Sequence, residues 1–195
     1  DALSRTLAAY VDAGAGVFRA GPDIGWSGVR RVVFSACGTA YYACQIAMGW
    51  FERLAGLIVD GDIASELRYR EPILATDDLA VFVSQSGETA DTLAALRYAR
   101  EKGAKTLALV NVPESTLARE AGAVALTEAG PEIGVASTKA FTAMLTVLLS
   151  LAIKAAADRG RLNGADLPAL LTALRALPGV FNTALGRDGD IAAAA

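Results

Sequence analysis

The strongest constraint on this chain is an alternation of short apolar runs with longer stretches of helical period. Arg31 to Ala36, Leu57 to Val59, Leu79 to Val83, Thr106 to Val110 and Ala123 to Thr127 are brief, apolar and rich in strand formers. Runs of that kind read as strands buried on both faces of a parallel sheet. Between them lie helical segments: Ala40 to Leu54, Ile63 to Tyr69, a segment from Thr89 with Leu93 and Leu96 in period, and Ser115 to Ala121. A leading amphipathic helix is expected from Ala2 to about Phe18, then a turn-rich break through Gly21-Pro22-Asp23. Beyond the last strand, a long apolar helix is expected over Thr138 to Ala157. A further helix over Leu167 to Leu177 should be broken by Pro178-Gly179.

Strands alternating with helices imply an α/β fold of three layers, one parallel sheet with helices on both faces. Five such strands suggest the flavodoxin-like order 2-1-3-4-5, which puts the ligand crevice where the first and third strands end. The first ends in Cys37-Gly38-Thr39 and the third in Ser84-Gln85-Ser86-Gly87-Glu88-Thr89. Gly87 permits a tight turn and Thr89 can cap the following helix. Free helix amides, a favourable dipole and converging hydroxyls suit a phosphate, and an ordinary capped loop has the same composition. Two such turns meeting at one crevice favour the phosphate site. No Gly-Lys-Ser/Thr follows either glycine, and neither loop carries Gly-x-Gly-x-x-Gly. A compact phosphate monoester therefore fits better than a nucleotide with magnesium, and no cofactor or metal is expected.

The rest of the composition narrows the field. The 195 residues are 53% hydrophobic with a net charge of -3, giving no basic field for nucleic acid. Cys37 and Cys44 match neither zinc nor disulfide spacing, so a reduced, cytoplasmic setting is expected. Asp1 to Arg19 does not read as a secretory signal, and the uncharged run Ala140 to Ile153 is shorter than a bilayer span, so no membrane is expected. The chain has no histidine, which excludes an imidazole base or a His-based triad. Cys37 then reads as a thiol without an activating base, and Met48, Trp50 and Phe51 as core. The charge-dense Ser65 to Glu71 reads as a solvated helix face, or alternatively a subunit interface. Gly134 to Lys139 precedes the long helix, where Ser137 or Thr138 could be its N-cap or hold sugar hydroxyls.

Ala36-Cys37-Gly38-Thr39, Ile63 to Glu66 with Arg68-Tyr69-Arg70, Ser84 to Leu93, and Ala129 to Thr142 closely resemble the isomerase part of the glucosamine-6-phosphate synthase family. Ser-Gln-Ser-Gly-Glu-Thr alone marks the wider sugar isomerase (SIS) fold, while Glu132 to Thr142 is more specific to the synthases. The resemblance runs from about Val32 to Ile153. It implies that Ser84, Gln85, Ser86 and Thr89 hold a sugar phosphate, with Thr39 at the sugar end and Val135 and Ser137 across the crevice. At Ala40 many relatives carry a ligand-touching serine.

The family's enzymes convert fructose 6-phosphate and glutamine into glucosamine 6-phosphate and glutamate. Ammonia adds at C2 of the open-chain ketose, and a base moves a proton between C1 and C2. They also carry a glutaminase domain with an N-terminal cysteine, which Asp1 cannot be, and two SIS modules, of which this chain resembles the first. The catalytic glutamate, lysines and histidine lie beyond that module, so the catalytic residues within this chain are unknown. The expected organisation is a sugar-phosphate-binding SIS domain over 1–160 and a helical extension or linker over 161–195. A homodimer is expected, in keeping with a mean hydropathy of +0.38. Two other readings are a sugar-phosphate sensor and a stand-alone aldose–ketose isomerase using Glu66, Glu88 or Glu132 as base.

Overall fold

The computed structural model describes residues 2–12, 21–132 and 138–194. Five strands, β1 (Arg31–Ala36), β2 (Ile58–Ile63), β3 (Asp78–Ser84), β4 (Lys105–Val110) and β5 (Ala123–Leu126), form one sheet in the order β2-β1-β3-β4-β5. All four pairings are parallel. The expected strand order is therefore the observed one.

Alternation within each strand feeds two cores. Val32, Phe34 and Ala36 of β1, with Leu79, Val81 and Val83 of β3, face one layer. That layer holds α1 (Ala2–Tyr10), α2 (Gly38–Trp50), α6 (Lys139–Asp158) and α7 (Asp166–Leu185). Val33, Ala80, Phe82 and Ala108 face the other, made of α3 (Ala64–Arg70), α4 (Ala90–Glu101) and α5 (Thr116–Glu120). Helix α8 (Asp188–Ala194) follows at the end. Since α2 lies on one face and α3, α4 and α5 on the other, the chain winds outward from β1 in both directions, as right-handed crossovers require.

Helix α6 is long and apolar enough to cross a membrane, yet most of it is buried inside the fold, packed chiefly on α1 and α2. Its two buried hydroxyls are satisfied within the helix: Thr146 donates to the Thr142 carbonyl and Ser150 to the Thr146 carbonyl, both at 2.8 Å. At its C-terminus, Arg159 donates to the carbonyls of Ala55, Trp26 and Val29. One guanidinium thus ties two chain segments, around Ala55 and through Trp26 to Val29, to the end of the core helix, where a cation also suits the dipole.

Three expectations need correction. Strand β2 runs through Asp60-Gly61-Asp62 rather than ending at Val59, because residues 58–63 stay in register with 31–36. As an edge strand it can carry carboxylates, and Arg70 pairs with both Asp60 and Asp62. Helix α7 is not broken at Pro178-Gly179 but continues to Leu185. Proline removes one amide donor, the one that would reach the Leu174 carbonyl, and the helix carries on past that single missing bond. The leading helix ends at Tyr10, with Val11 and Asp12 no longer helical; residues 13–18 of its expected span lie outside the described residues.

Asp78 is fully buried at the N-terminal end of β3, opposite Arg31 in the ladder. It pairs with Arg30 at 2.8 Å and Arg31 at 2.6 Å and accepts the Ala75 amide at 3.0 Å. Burial alone would raise its pKa; the Arg31 and Ala75 hydrogen bonds and the two arginine charges outweigh that and hold it below the usual range. Losing the carboxylate leaves Arg31 without its buried partner, so Asp78→Ala should cost about 3 kcal/mol in urea unfolding. A depressed pKa stabilises the fold above the unfolded value of about 4 and ceases to do so as pH falls through the folded one. Asp78→Asn should accordingly show a flatter loss of stability below about pH 4 than the native chain.

Candidate functional site

At the carboxyl ends of β1 and β3 lies a cleft of about 310 Å3 lined by Cys37, Gly38, Thr39, Ala40, Val83, Ser84, Gln85, Ser86, Thr89 and Met144. Five of the seven residues singled out from sequence meet here: Thr39, Ser84, Gln85, Ser86 and Thr89. Val135 and Ser137 fall outside the described residues. Cys37, Gly38, Ala40, Val83 and Met144 were not among them. Cys37, Gly38, Ala40 and Val83 flank the named residues in sequence, but Met144 comes from α6, and nothing in its apolar context marked it.

The loop folds on its own hydroxyls. Ser84 Oγ accepts the Gly87 amide at 3.0 Å and lies 3.1 Å from Thr89 Oγ1. Ser86 Oγ accepts the Glu88 amide at 3.2 Å. Thr89 occupies the N-cap position of α4, as expected, but its hydroxyl makes no capping bond. It is turned to Ser84 instead, leaving the first-turn amides of α4 without that partner. Cys37 at the N-cap of α2 makes no side-chain cap either. Two helices of 13 and 12 residues thus begin at one cleft with uncapped N-termini.

No lysine or arginine lines the cleft among the described residues. Its positive potential comes from helix dipoles and N–H groups, its donors from neutral hydroxyls. Such a site suits a compact dianion held by many short hydrogen bonds. Gly87 has φ of 68°, and a Cβ there would lie 2.1 Å from Ser115 Oγ, so both conformation and space demand glycine.

The surrounding carboxylates are engaged elsewhere. Glu88 accepts the Thr116 amide at 2.7 Å and caps α5. The Thr116 amide, then its hydroxyl and the nearby Arg119 charge, hold the Glu88 carboxyl below the usual carboxylate range. Glu132 accepts the Ala140 amide at 3.0 Å and caps α6, a role the sequence suggested for Ser137 or Thr138; Thr138 makes no such bond. Glu66 is exposed and bonded to Ser65. None of the three lines the cleft. Burial pushes the Cys44 thiol far up, so it is inert.

Asn111, at the end of β4, joins the loop to the chain beyond β5. Its amide donates to the Gln85 carbonyl at 3.1 Å. Its side chain accepts from Thr127 Oγ1 and the Ala129 amide and donates to the Gly130 carbonyl. Helix α1 grips the same segment: Arg5, Thr6 and Tyr10 donate to the carbonyls of Ala129, Thr127 and Leu126.

A sheet of this order with a hydroxyl loop at its switch point coincides with a family match. The SIS-domain family profile covers residues 27–154. This chain belongs to the SIS-domain family. It is 50% identical over 192 residues to the glutamine–fructose-6-phosphate aminotransferase (isomerizing) of Bartonella quintana, covering 98% of this chain and 32% of that protein. The SIS chain therefore spans about a third of the length of the curated relatives it matches. In structure it resembles the C-terminal domain of glucosamine-fructose-6-phosphate aminotransferase from Francisella tularensis, with TM-score 0.92 and 34% identity over 97% of this chain and 54% of that one. Glucosamine-6-phosphate deaminase from Thermotoga maritima is more distant, at TM-score 0.63 and 25% identity over 74% of this chain and 44% of that one.

Gly87→Ala should destabilise the SIS fold by about 2–4 kcal/mol, from the left-handed conformation plus the Ser115 clash. Pairing it with Ser115→Gly should recover the clash share only. Equal unfolding midpoints for the single and double variants would show that Ser115 does not press on the loop.

Proposed function

We propose that this chain is the first sugar-phosphate-binding SIS module of a glutamine–fructose-6-phosphate aminotransferase. In that enzyme it grips the phosphate and sugar of fructose 6-phosphate while glucosamine 6-phosphate and glutamate are formed with groups supplied elsewhere. The observation that carries this is the meeting of the Ser84–Thr89 hydroxyls with two helix N-termini that lack a side-chain cap from their own N-cap residues, in a cleft with no lysine or arginine on its described lining. Identity of 50% across nearly the whole chain points to the aminotransferase among SIS proteins.

In this reading Ser84, Gln85, Ser86 and Thr89 take the phosphate and Thr39 the near end of the sugar, with Val135 and Ser137 facing it. Ala40 offers a backbone amide where many relatives place a hydroxyl. Holding the substrate in one orientation is itself a share of catalysis. Residues 1–160 form the binding domain and 161–195 the helical extension, a division supported by the family match ending at residue 154. The full enzyme adds a second SIS module and a glutaminase domain, works in the cytoplasm and is a homodimer.

The stand-alone isomerase is disfavoured because Glu88 and Glu132 are spent on helix caps. Calorimetric titration with fructose 6-phosphate and glucosamine 6-phosphate should show binding, with no conversion of fructose 6-phosphate to glucose 6-phosphate. Turnover would place a base in this chain and favour the isomerase. Ser86→Ala with Thr89→Ala should weaken sugar-phosphate binding about 100-fold or more at an unchanged melting temperature, as two hydrogen bonds to a dianion are lost. Native-like affinity in that double variant would refute the site assignment.

A further inference from the structure

The outer side of the Ser84–Thr89 loop is held by α5 through three contacts. The Gly87 carbonyl accepts the Leu117 amide at 3.0 Å, the Glu88 carboxylate accepts the Thr116 amide at 2.7 Å, and Gly87 is packed on Ser115. The first contact fixes more than the carbonyl. A trans peptide carries its C=O and N–H in opposite directions, and the described residues contain no cis bond. With the Gly87 carbonyl turned to α5, the Glu88 N–H must point the other way, toward the cleft side of the loop. There it donates to Ser86 Oγ at 3.2 Å, and Ser86 lines the cleft. A hydroxyl whose oxygen accepts an amide has its proton left to donate, and an anion in the cleft is the acceptor it suits.

From this chain of contacts we infer that Glu88 is a positioning residue: by capping α5 it locks the Gly87–Glu88 peptide, which aims the Ser86 hydroxyl at the bound phosphate. The inference rests on the reading of the cleft as a sugar-phosphate site. It assigns the glutamate of Ser-Gln-Ser-Gly-Glu-Thr a task other than acid–base chemistry. It also accounts for a charged side chain within an otherwise neutral loop: its charge is directed away from the ligand, onto the α5 amide.

The test uses the 195-residue chain with fructose 6-phosphate and inorganic phosphate as probes. Glu88→Ala should weaken both by about tenfold, with melting temperature little changed. Glu88→Gln keeps an oxygen that can accept the Thr116 amide and should recover most of the loss. Thr116→Pro deletes the same bond from the other end. Thr116 is the first residue of α5, where proline is tolerated, and Ser115 before it is already extended. This variant should reproduce the weakening, and it decides the matter if Glu88→Ala does not fold.

Because Glu88 acts through Ser86, adding Glu88→Ala to Ser86→Ala should cost little further affinity. Native affinity in both Glu88→Ala and Thr116→Pro, a Gln variant as weak as Ala, or full additivity with Ser86→Ala would each overturn the inference. A native chain that binds neither probe would overturn the phosphate-site reading itself, a failure visible before any variant is made.

Discussion

The cleft exists because β1 and β3 are hydrogen-bonded neighbours although they are not consecutive in the chain. Their ladder runs from Arg31 opposite Asp78 to Ala36 opposite Val83, so both strands end at the same level. Their following helices leave to opposite faces of the sheet, and the gap between them is the crevice. The two ends of this ladder are under different constraints. At the N-terminal end a buried carboxylate is clasped by Arg31, which opens β1, and by Arg30 just before it. A one-residue slip would exchange the faces of Val81 and Phe82 and also strand Asp78 away from Arg31. The ion pair thus pins the register whose other end brings Thr39 and Ser84 to one cleft.

What the cleft offers an anion follows from that geometry. With no cation on its described lining, attraction depends on oriented dipoles, and these work only if the loop is rigid. The rigidity comes from outside the cleft. Asn111 holds the Gln85 carbonyl, α5 holds Gly87, and Ser84 closes the turn from within. Helix α1 extends the same scaffold, since Arg5, Thr6 and Tyr10 grip the segment that Asn111 also grips. Burial pushes the Tyr10 phenol well up, so it remains a neutral donor to Leu126. A neutral, braced loop discriminates by shape and number of acceptors rather than by charge alone, which suits a compact monoester over a longer polyphosphate.

Much of this is legible from residues alone, for a definable reason. Central parallel strands are apolar on both faces, so β1, β3 and β4 stand out as unbroken runs, and three strands of this kind nearly fix the fold. Edge position hides the end of β2, because one open side admits Asp60, Gly61 and Asp62, which carry no apolar strand signal. Pro178 looks like a break because local propensity ignores that a helix can continue past one missing donor. The hydroxyl cluster is visible, but its internal wiring is not. Thr89 has the identity and position of a capping residue, and only the approach of Ser84 turns its hydroxyl elsewhere. Glu132 caps α6 from eight residues before Ala140, a distance at which no local motif operates. Met144 reaches the cleft from a helix that reads as plain core.

The disposition of the carboxylates carries the functional argument furthest. An isomerase needs a base whose pKa is raised toward neutrality and which reaches the substrate carbon. Here the Thr116 amide and hydroxyl lower the pKa of Glu88, and its carboxylate is bonded to α5 rather than placed in the cleft. Glu132 is bonded to the first turn of α6, and Glu66 is exposed beside Ser65. With no histidine in the chain, the groups at hand can fix a phosphate but are poorly arranged to move a proton. Binding and proton transfer also make opposing demands. A dipole-lined pocket that stabilises an anion favours ionised carboxylates, depressing the pKa that a base would need raised. In the proposed reading, separating the phosphate grip from the acid–base groups, on different modules, would resolve that conflict, with this cleft as the gripping half.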